Sequence, residues 1–223
     1  MRSVRTVDAV LCIVLPGVLA VFAARSHMGF SDADFGDSYV MESLLMCAAV
    51  TAVCPVLRLV GLVRLPYWFI GAVSVAVYLH GVSLYYGTYR DLWWWDHLTH
   101  FTSSVVVTSV VFTSLCALVR YVPGQHLGGN AVFLALVAVV SLGMGDLWEV
   151  AEWTVDAVSG NHYMQYSVFD TMEDVAMDVL GVSTATAVLA VVLGRGTPSD
   201  AAAGMIPRME PRGTDRRYPT HHL

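Results

Sequence analysis

Three segments combine carboxylates and histidines within an otherwise apolar chain. They read WWWDHLTHF (93–101), GDLWEVAEW (145–153) and FDTMEDVAMDVLG (169–181). Carboxylate oxygens together with imidazole nitrogens form a ligand set that suits zinc, iron or manganese, and an all-oxygen subset suits magnesium or calcium. The three segments therefore predict a divalent metal site, with the identity of the metal left open.

The spacing of these side chains places each set on one face of a helix. Residues three or four positions apart lie on the same side of an α-helix, because one turn takes about 3.6 residues. The sets are Asp96 with His100, Glu149 with Glu152 and Asp156, and Asp170 with Asp174 and Asp178; Asp146 also pairs with Glu149. The predicted metal ligands are Asp96, His100, Asp146, Glu149, Asp174 and Asp178.

The same residues indicate what chemistry a metal site would support. A metal ion next to a carboxylate base activates water or a lipid hydroxyl for attack on a phosphate or acyl ester. Glu149 and Asp174 are the candidate catalytic residues, and Trp95 and Trp148 are the candidates for substrate contact. The tryptophans at 93–95 also have the composition of an anchor at the membrane interface. A metal-dependent hydrolase or transferase is the one enzyme class that these residues support.

The composition indicates that the protein containing these residues lies in a membrane. The chain has 223 residues, of which 56% are hydrophobic and 13% charged, and its mean hydropathy is +0.61. Soluble domains carry about 25% charged residues, so this chain belongs in a bilayer. Its net charge of -6 argues against a nucleic-acid partner, since a phosphate backbone needs a concentrated basic surface. Membrane lipid and a lipid-linked or headgroup substrate are the expected partners.

The apolar segments predict an all-α bundle with six transmembrane helices. A span needs about 20 apolar residues, and the length of the chain suits one domain of about six such spans. The segment 153–167 is polar enough for a surface loop, and residues 195–223 combine prolines, glycines and arginines typical of a disordered cytoplasmic tail. The membrane domain is thus predicted over residues 1–194, with spans near 7–24, 39–59, 67–86, 98–119, 131–150 and 174–193.

Arginine positions predict the orientation in the cell membrane. The chain has no lysine, and ten of its twelve arginines fall at the two chain ends or in alternate loops; the other two are Arg25 and Arg90. The positive-inside rule then gives cytoplasmic N- and C-termini. With this topology, the three motif segments meet at the extracytoplasmic side.

The cost of burying carboxylates explains why a metal is expected. A charged group facing lipid costs on the order of 2.5 to 3.5 kcal/mol at the centre of a helix, so the acids should face the bundle interior. Carboxylates that face one another repel unless a cation, protons or arginines intervene, and only Arg25 and Arg90 are on that side. A bound metal that takes its nitrogen ligand from His100, with His97 or His80 as alternative further ligands, is therefore expected to neutralise the cluster.

Several of these residues also have ordinary structural interpretations. Asp96 has the position of a helix N-cap, and Asp170 followed by Glu173 resembles a capping box. Glu152 and Asp156 are expected to be solvated beyond the span. These interpretations compete with a functional role only in part, because a capping carboxylate can also bind a ligand.

Two histidines outside the main stripes are expected to have structural roles. His97 is one position off the stripe of Asp96 and His100, which favours an interfacial place. His80 stands alone on an apolar helix, where a histidine is usually hydrogen-bonded within the core.

The motifs resemble a known family. The stretches WDHLTHF and GDLWEVAEW and the pattern D-T-x-x-D-x-x-x-D-x-x-G at 170–181 occur in this order in YjdF-type bacterial integral membrane proteins, a family of unknown function. More remotely, the pattern is similar to VanZ-like proteins, which are associated with glycopeptide resistance. The resemblance covers residues 69–193 and implies a helical bundle but no reaction. It matches Asp96, His100, Glu149, Asp170, Asp174, Asp178 and Gly181.

Three classes of function fit the sequence. The first is a metal-assisted binding or catalytic site for a polar headgroup of a lipid or cell-envelope molecule, open to the outer leaflet. The second is a proton or divalent-cation transporter, which would need polar residues that continue inward. The inner halves, at 109–119, 131–142 and 182–193, offer only serine and threonine for that purpose. The third is a non-catalytic membrane scaffold or assembly factor.

Overall fold

The computed structural model describes residues 2–31, 37–62, 65–121, 129–160, 164–165, 167–194 and 196–205. Within these ranges the chain forms α-helices and no strand, so the predicted all-α class is confirmed. The helices are α1 (Arg2–His27), α2 (Asp37–Leu59), α3 (Tyr67–Tyr86), α4 (Thr88–Asp91), α5 (Trp95–Tyr121), α6 (Asn130–Ser159), α7 (Val168–Leu193) and α8 (Pro198–Met205).

Six of these helices are long and apolar enough to cross a membrane, as predicted. They are α1, α2, α3, α5, α6 and α7. The second and third membrane segments, Tyr39–Leu59 and Tyr67–Tyr86, have the boundaries predicted from hydropathy alone. Prolines and polar residues lie close to the ends of both segments, so these ends can be predicted from the sequence.

The helices near the motif segments extend beyond their predicted limits. α6 continues to Ser159 and α7 begins at Val168, so residues 153–159, predicted as surface loop, are helical. Hydropathy ends a span at its first acidic residues, but here Glu152 and Asp156 continue the buried face of α6. Within the predicted disordered tail, Pro198–Met205 form α8, while residues 206–223 lie outside the described part of the chain.

The membrane helices pack as two groups joined by α3. In the first group α1 lies along α2, and α3 packs against both. In the second group α5 packs against α7 and α6, and α6 also contacts α7. α3 contacts α5 and so links the groups. The apolar core of the second group lies below the motif segments, around Val111, Phe112, Cys116, Phe133, Val137 and Leu193.

A buried ion pair fixes the first group at the end of α3 remote from the motif segments. Arg58 Nε donates to Asp8 Oδ1 over 3.0 Å, linking α2 to α1. The guanidinium also donates to the backbone oxygen of Leu65 and lies 4.2 Å from the ring centroid of Tyr67. One arginine therefore connects α1, α2 and the start of α3.

Candidate metal centre

His100 stands at the centre of the acidic cluster, and four carboxylates from three helices surround its ring. Its Nε2 lies 3.6 Å from Asp96 Oδ1 and 3.9 Å from Asp174 Oδ1. Its Nδ1 lies 3.7 Å from Glu149 Oε1 and 3.4 Å from Asp178 Oδ1. The structure thus brings together five of the six predicted metal ligands, contributed by α5, α6 and α7.

The distances within this cluster suit coordination better than direct hydrogen bonding. An N–H···O hydrogen bond spans about 2.7 to 3.2 Å, which is shorter than all four separations. Metal–nitrogen and metal–oxygen bonds of about 2.0 to 2.2 Å place neighbouring ligand atoms of a tetrahedral site about 3.4 Å apart. Two groups of three side chains could each hold a metal ion, because the potential ligand atoms within each group lie within 4.8 Å of one another. The groups are Asp96, His100 and Asp174, and His100, Glu149 and Asp178.

The carboxylates of the cluster are buried, so their negative charges require a counter-ion. Glu149 is 5% exposed, and within the described ranges neither of its carboxylate oxygens has a hydrogen-bond partner. Asp174 and Asp178 are buried as well. A buried carboxylate without hydrogen bonds carries a large desolvation cost that a bound cation offsets. Glu149 is therefore the residue that most clearly marks a ligand site.

The start of α7 positions two of the carboxylates. Ser167 is the N-cap, and its hydroxyl oxygen accepts from the backbone N–H of Asp170 over 3.2 Å. The capping box predicted at Asp170 therefore begins three residues earlier than expected. From this cap, Asp174 and Asp178 follow on the second and third turns and face α5 and α6, since residues four apart share one helix face.

Two glycines let the three helices approach one another at the cluster. A Cβ atom on Gly181 would lie 2.6 Å from the backbone oxygen of Phe101, so α7 contacts α5 there through backbone alone. A Cβ on Gly145 would lie 2.5 Å from Oδ2 of Asp178. Small residues at helix contacts allow such approach in membrane proteins. Gly181 was part of the motif, whereas Gly145 gave no sign of this role beyond its place before Asp146.

Ser104 is a site residue that the sequence interpretation missed. Its hydroxyl donates to Asp178 Oδ1 over 2.6 Å, from α5 to α7, and both side chains are buried. The signal in the sequence was its spacing, because Ser104 follows His100 by four residues and so shares its helix face. The hydrogen bond orients the Asp178 carboxylate toward His100.

A second chain of polar contacts reaches the cluster from α3. His80 Nδ1 lies 2.8 Å from the hydroxyl of Tyr89, which is 3.4 Å from Thr99 Oγ1. Thr99 in turn lies 3.3 Å from Asp96 Oδ1. Burial raises the pKa of the Tyr89 hydroxyl well above its usual value, so it remains a hydrogen-bond donor at neutral pH. His80 thus touches the site through two intermediates and is not a ligand.

Asp146 is the predicted ligand that the structure does not bring to the cluster. Its side chain is exposed, and it belongs to neither group of potential ligands. The buried face of α6 is defined by Gly145, Glu149, Glu152 and Asp156, and at about 100° per residue Asp146 lies about 100° from the centre of that face. Spacing of three residues from Glu149 was therefore insufficient to predict a shared site.

The predicted N-cap role of Asp96 does not match the structure either. Asp96 lies within the first turn of α5, which begins at Trp95. Its carboxylate contacts the Thr99 hydroxyl and faces His100. A carboxylate in the first turn is still favoured by the helix dipole, so this position stabilises α5 while it serves the cluster.

The prediction that Glu152 and Asp156 are solvated is wrong. Both are buried. Asp156 accepts from the backbone N–H groups of Met164, over 3.2 Å, and Gln165, over 2.8 Å, and so holds the connection between α6 and α7. Gln165 also donates to the backbone oxygen of Glu149 over 3.2 Å. The acid pair therefore belongs to the structure that closes the site end of α6.

The aromatic residues and His97 form the rim of the site. His97 Nε2 lies 3.4 Å from Glu173 Oε2, at a partly exposed contact between α5 and α7. Trp148 is half exposed, with its ring edge-on to His80 at 5.9 Å between centroids. Trp95 is partly buried, and its indole N–H has no hydrogen-bond partner in the part of the chain that the structure describes.

Exposure of the acids is graded from the rim to the base of the cluster. The Asp96 side chain is 28% exposed, whereas those of His100, Glu149, Asp174 and Asp178 are between 4% and 8% exposed. The cluster is therefore most exposed at Asp96, in the first turn of α5.

An all-helical bundle with six membrane-length helices and a buried carboxylate–histidine cluster defines a polytopic membrane protein with a candidate metal centre. The chain belongs to the family described as Predicted membrane protein (DUF2238), whose model matches residues 10–195. This is the YjdF-type family, so the resemblance seen in the motifs is confirmed. The likeness to VanZ-like proteins stays a prediction.

One similar protein comes from a bacterium, and its own description states no function. A Thermotoga maritima protein named only as an uncharacterized protein is 34% identical over 115 residues, which is 50% of this chain and 56% of the relative. The match thus spans little more than half of the relative's length. No solved structure matches the chain.

Proposed function

We propose that the chain binds a divalent metal ion between α5, α6 and α7 and acts there on the polar headgroup of a membrane lipid or lipid-linked cell-envelope molecule. The observation that carries the proposal is the arrangement at His100, where four carboxylate oxygens lie at ligand-to-ligand separations and the Glu149 carboxylate has no hydrogen-bond partner among the described residues. Zinc, manganese and iron suit this mixed ligand set, and magnesium suits its oxygen subset.

The depth of the cluster favours a headgroup as the ligand. α6 has 30 residues and is therefore about 45 Å long, about 15 Å more than the hydrocarbon core of a bilayer. Glu149 lies two thirds of the way along α6, and Asp96 lies in the first turn of α5. This level corresponds to the polar edge of the membrane, where headgroups lie. The arginine distribution supports an extracytoplasmic position for this edge.

In the proposed hydrolytic or transfer reaction, each residue of the site has a defined role. A metal ion lowers the pKa of bound water and polarises an ester oxygen. His100 and the carboxylates around it would hold the ion. The Glu149 oxygen that does not bind the ion would take the proton from the attacking water or acceptor hydroxyl, whose oxygen would attack the phosphorus or acyl carbon as the ester bond to the leaving alcohol breaks. This proton would pass from Glu149 to Asp174, and Asp174 would give it to the leaving oxygen. Trp95 and Trp148, at the rim, contact the substrate.

Metal content tests the proposal directly. The protein is purified in detergent, loaded separately with Zn²⁺, Mn²⁺, Fe²⁺ or Mg²⁺, desalted and measured by elemental analysis. The wild type should retain at least one ion per chain with one of these metals, Glu149→Gln should retain less than the wild type, and His100→Ala should lose the metal. Asp146→Asn is the matched control, because it removes an exposed carboxylate from the same helix and should keep the metal.

The outcomes separate this function from its alternatives. A folded wild type that retains none of the four metals overturns the proposal. If the cluster variants then also lose the folded state, the polar layer is structural and the chain is a scaffold. Reaction is tested by incubating the metal-loaded wild type with phospholipid vesicles and following release of the headgroup or acyl chain, with Glu149→Gln as the inactive comparison.

A transport function receives no comparable support. Thr108 and Ser141, which lie below the cluster, are buried and donate to backbone oxygens of their own helices. These hydroxyls therefore do not extend the acidic layer as a polar path through the bundle.

A further inference from the structure

We infer that the cluster holds two divalent metal ions, one on each ring nitrogen of His100, with the imidazole as the bridge. This inference rests on the proposed function, because it specifies how many ions the site binds. Each ring nitrogen faces its own pair of carboxylates. Nε2 faces Asp96 and Asp174, and Nδ1 faces Glu149 and Asp178.

The two halves of the cluster are built alike. In each half, a hydroxyl from α5 lies near one carboxylate. Thr99 donates to the backbone oxygen of Asp96 over 2.8 Å and lies 3.3 Å from its Oδ1, and Ser104 donates over 2.6 Å to Asp178 Oδ1. Such contacts orient the carboxylate ligands of metal sites. In a single-metal site the ring nitrogen remote from the ion donates its N–H to a carboxylate, a backbone oxygen or water. Here all four carboxylate oxygens lie 3.4 to 3.9 Å from the ring nitrogens, which is longer than such a hydrogen bond on both sides of the ring.

Charge supports two ions over one. The four carboxylates carry four negative charges. The arginines at this end of the bundle have other contacts, since Arg25 donates to Tyr85 and Arg90 to Asp91. One divalent cation beside a neutral imidazole would leave two negative charges in the site, whereas two cations together with the imidazolate that bridges them leave one. Uncompensated buried charge is costly, so the second ion stabilises the site.

Each proposed ion keeps an open coordination position. Two carboxylates and one ring nitrogen supply three protein ligands, the number found in catalytic zinc sites that bind water or substrate at the remaining position. Binding of the second ion displaces the remaining imidazole N–H proton to solvent, because both nitrogen lone pairs are then used. Ions at about 2.1 Å from the two ring nitrogens lie roughly 6 Å apart.

Manganese binding to the full chain tests the inference. Detergent-purified protein is titrated with Mn²⁺, and bound metal is counted after desalting. The wild type should bind two ions per chain. Electron paramagnetic resonance at two equivalents should show dipolar broadening that is absent at one equivalent in a variant with a single remaining site.

Variants in each half identify the two positions. Asp174→Asn, on the Nε2 side, and Glu149→Gln, on the Nδ1 side, should each reduce the count from two ions to one, and His100→Ala should reduce it to zero. Asp146→Asn should retain two. If His100→Ala fails to fold, the wild-type count and the two single-side variants decide the matter.

The failures are distinguishable. One ion per wild-type chain, with no broadening, overturns the two-ion inference and leaves the proposed function in place. Loss of all bound metal in both Asp174→Asn and Glu149→Gln also overturns it, because the two sides would then form one site. A wild type that retains no ion of any of the four metals overturns both proposals.

Discussion

The hydroxyl of Ser104 donates a hydrogen bond of 2.6 Å to the carboxylate of Asp178, across the contact between α5 and α7. Asp178 faces Nδ1 of His100 at 3.4 Å. The serine thus determines the orientation of a carboxylate that lies in the candidate metal centre. Four consequences of the structure, this one first, are open to measurement.

Ser104→Ala should weaken metal binding while the fold is retained. The substitution removes the hydroxyl that orients Asp178, and loss of such a contact lowers metal affinity by about 10- to 100-fold. Affinity is measured by competition with a chromogenic chelator. Ser109→Ala is the control, since Ser109 lies on the same helix and donates to the backbone oxygen of Val105. Equal affinity of Ser104→Ala and wild type would remove the serine from the site.

Gly181→Ala should destabilise the bundle. The added methyl group would lie 2.6 Å from the backbone oxygen of Phe101 and 2.9 Å from Cβ of Ser104, so α5 and α7 must separate. Overpacking of this kind costs about 1 to 3 kcal/mol. Thermal unfolding in detergent should show a lower midpoint. Gly143→Ala on α6 meets no atom within 4 Å and should leave the midpoint unchanged or raise it.

Tyr89→Phe should weaken metal binding less than Ser104→Ala does. Its hydroxyl joins His80 to Thr99, which contacts Asp96, so the effect on the cluster passes through one more residue. We expect the dissociation constant to rise by up to about tenfold, at the lower limit for groups that orient metal ligands. Tyr86→Phe, at a half-exposed ring on the neighbouring helix, is the control. A larger loss than with Ser104→Ala would contradict this order.

Asp8→Ala should destabilise the opposite end of the bundle. The Arg58 and Asp8 side chains are 12% and 4% exposed, so removal of the acid leaves a buried guanidinium without its partner. Breaking a buried pair in this way costs about 3 to 5 kcal/mol. The thermal midpoint should fall, and Arg58→Met in the same chain should restore part of it. Glu42→Gln changes an exposed acid on α2 and serves as the control.

Metal binding offers a check on the specificity of this last prediction. Asp8 and Arg58 lie at the end of α3 remote from the cluster, and they share no contact with His100. The folded fraction of Asp8→Ala should therefore bind as much metal as the wild type. A specific loss of metal from the folded fraction would show coupling between the two ends.

Much of the membrane architecture was predictable because it depends on local hydropathy. The segments Tyr39–Leu59 and Tyr67–Tyr86 have the predicted limits, since charges and prolines flank them closely. The end of α6 was not predictable in this way. Glu152 and Asp156 look like the start of a solvated loop, but they are buried against other helices and the connection to α7.

The site was partly predictable for a different reason. The spacing of the acids and histidine along α5 and α7 predicted which face of each helix carries His100, Asp174 and Asp178. This prediction did not depend on which helices pack against that face. Spacing alone could not predict the position of Asp146. The packing of α6 determines whether the face with Asp146 or the face with Glu149 points into the bundle. Ser104 was overlooked because a serine on an apolar helix has no distinctive chemistry until its partner is known.

The acids of α7 have a consequence for biogenesis. A lone α7 would expose Asp174 and Asp178 to lipid near the polar edge of the membrane, at a cost below the roughly 2.5 to 3.5 kcal/mol each that applies at mid-membrane. Their companions on α5 and α6 precede them along the chain and are synthesised earlier. α7 therefore inserts most favourably when it packs directly against α5 and α6, which are already in the membrane. Its insertion is in this way coupled to the assembly of the bundle.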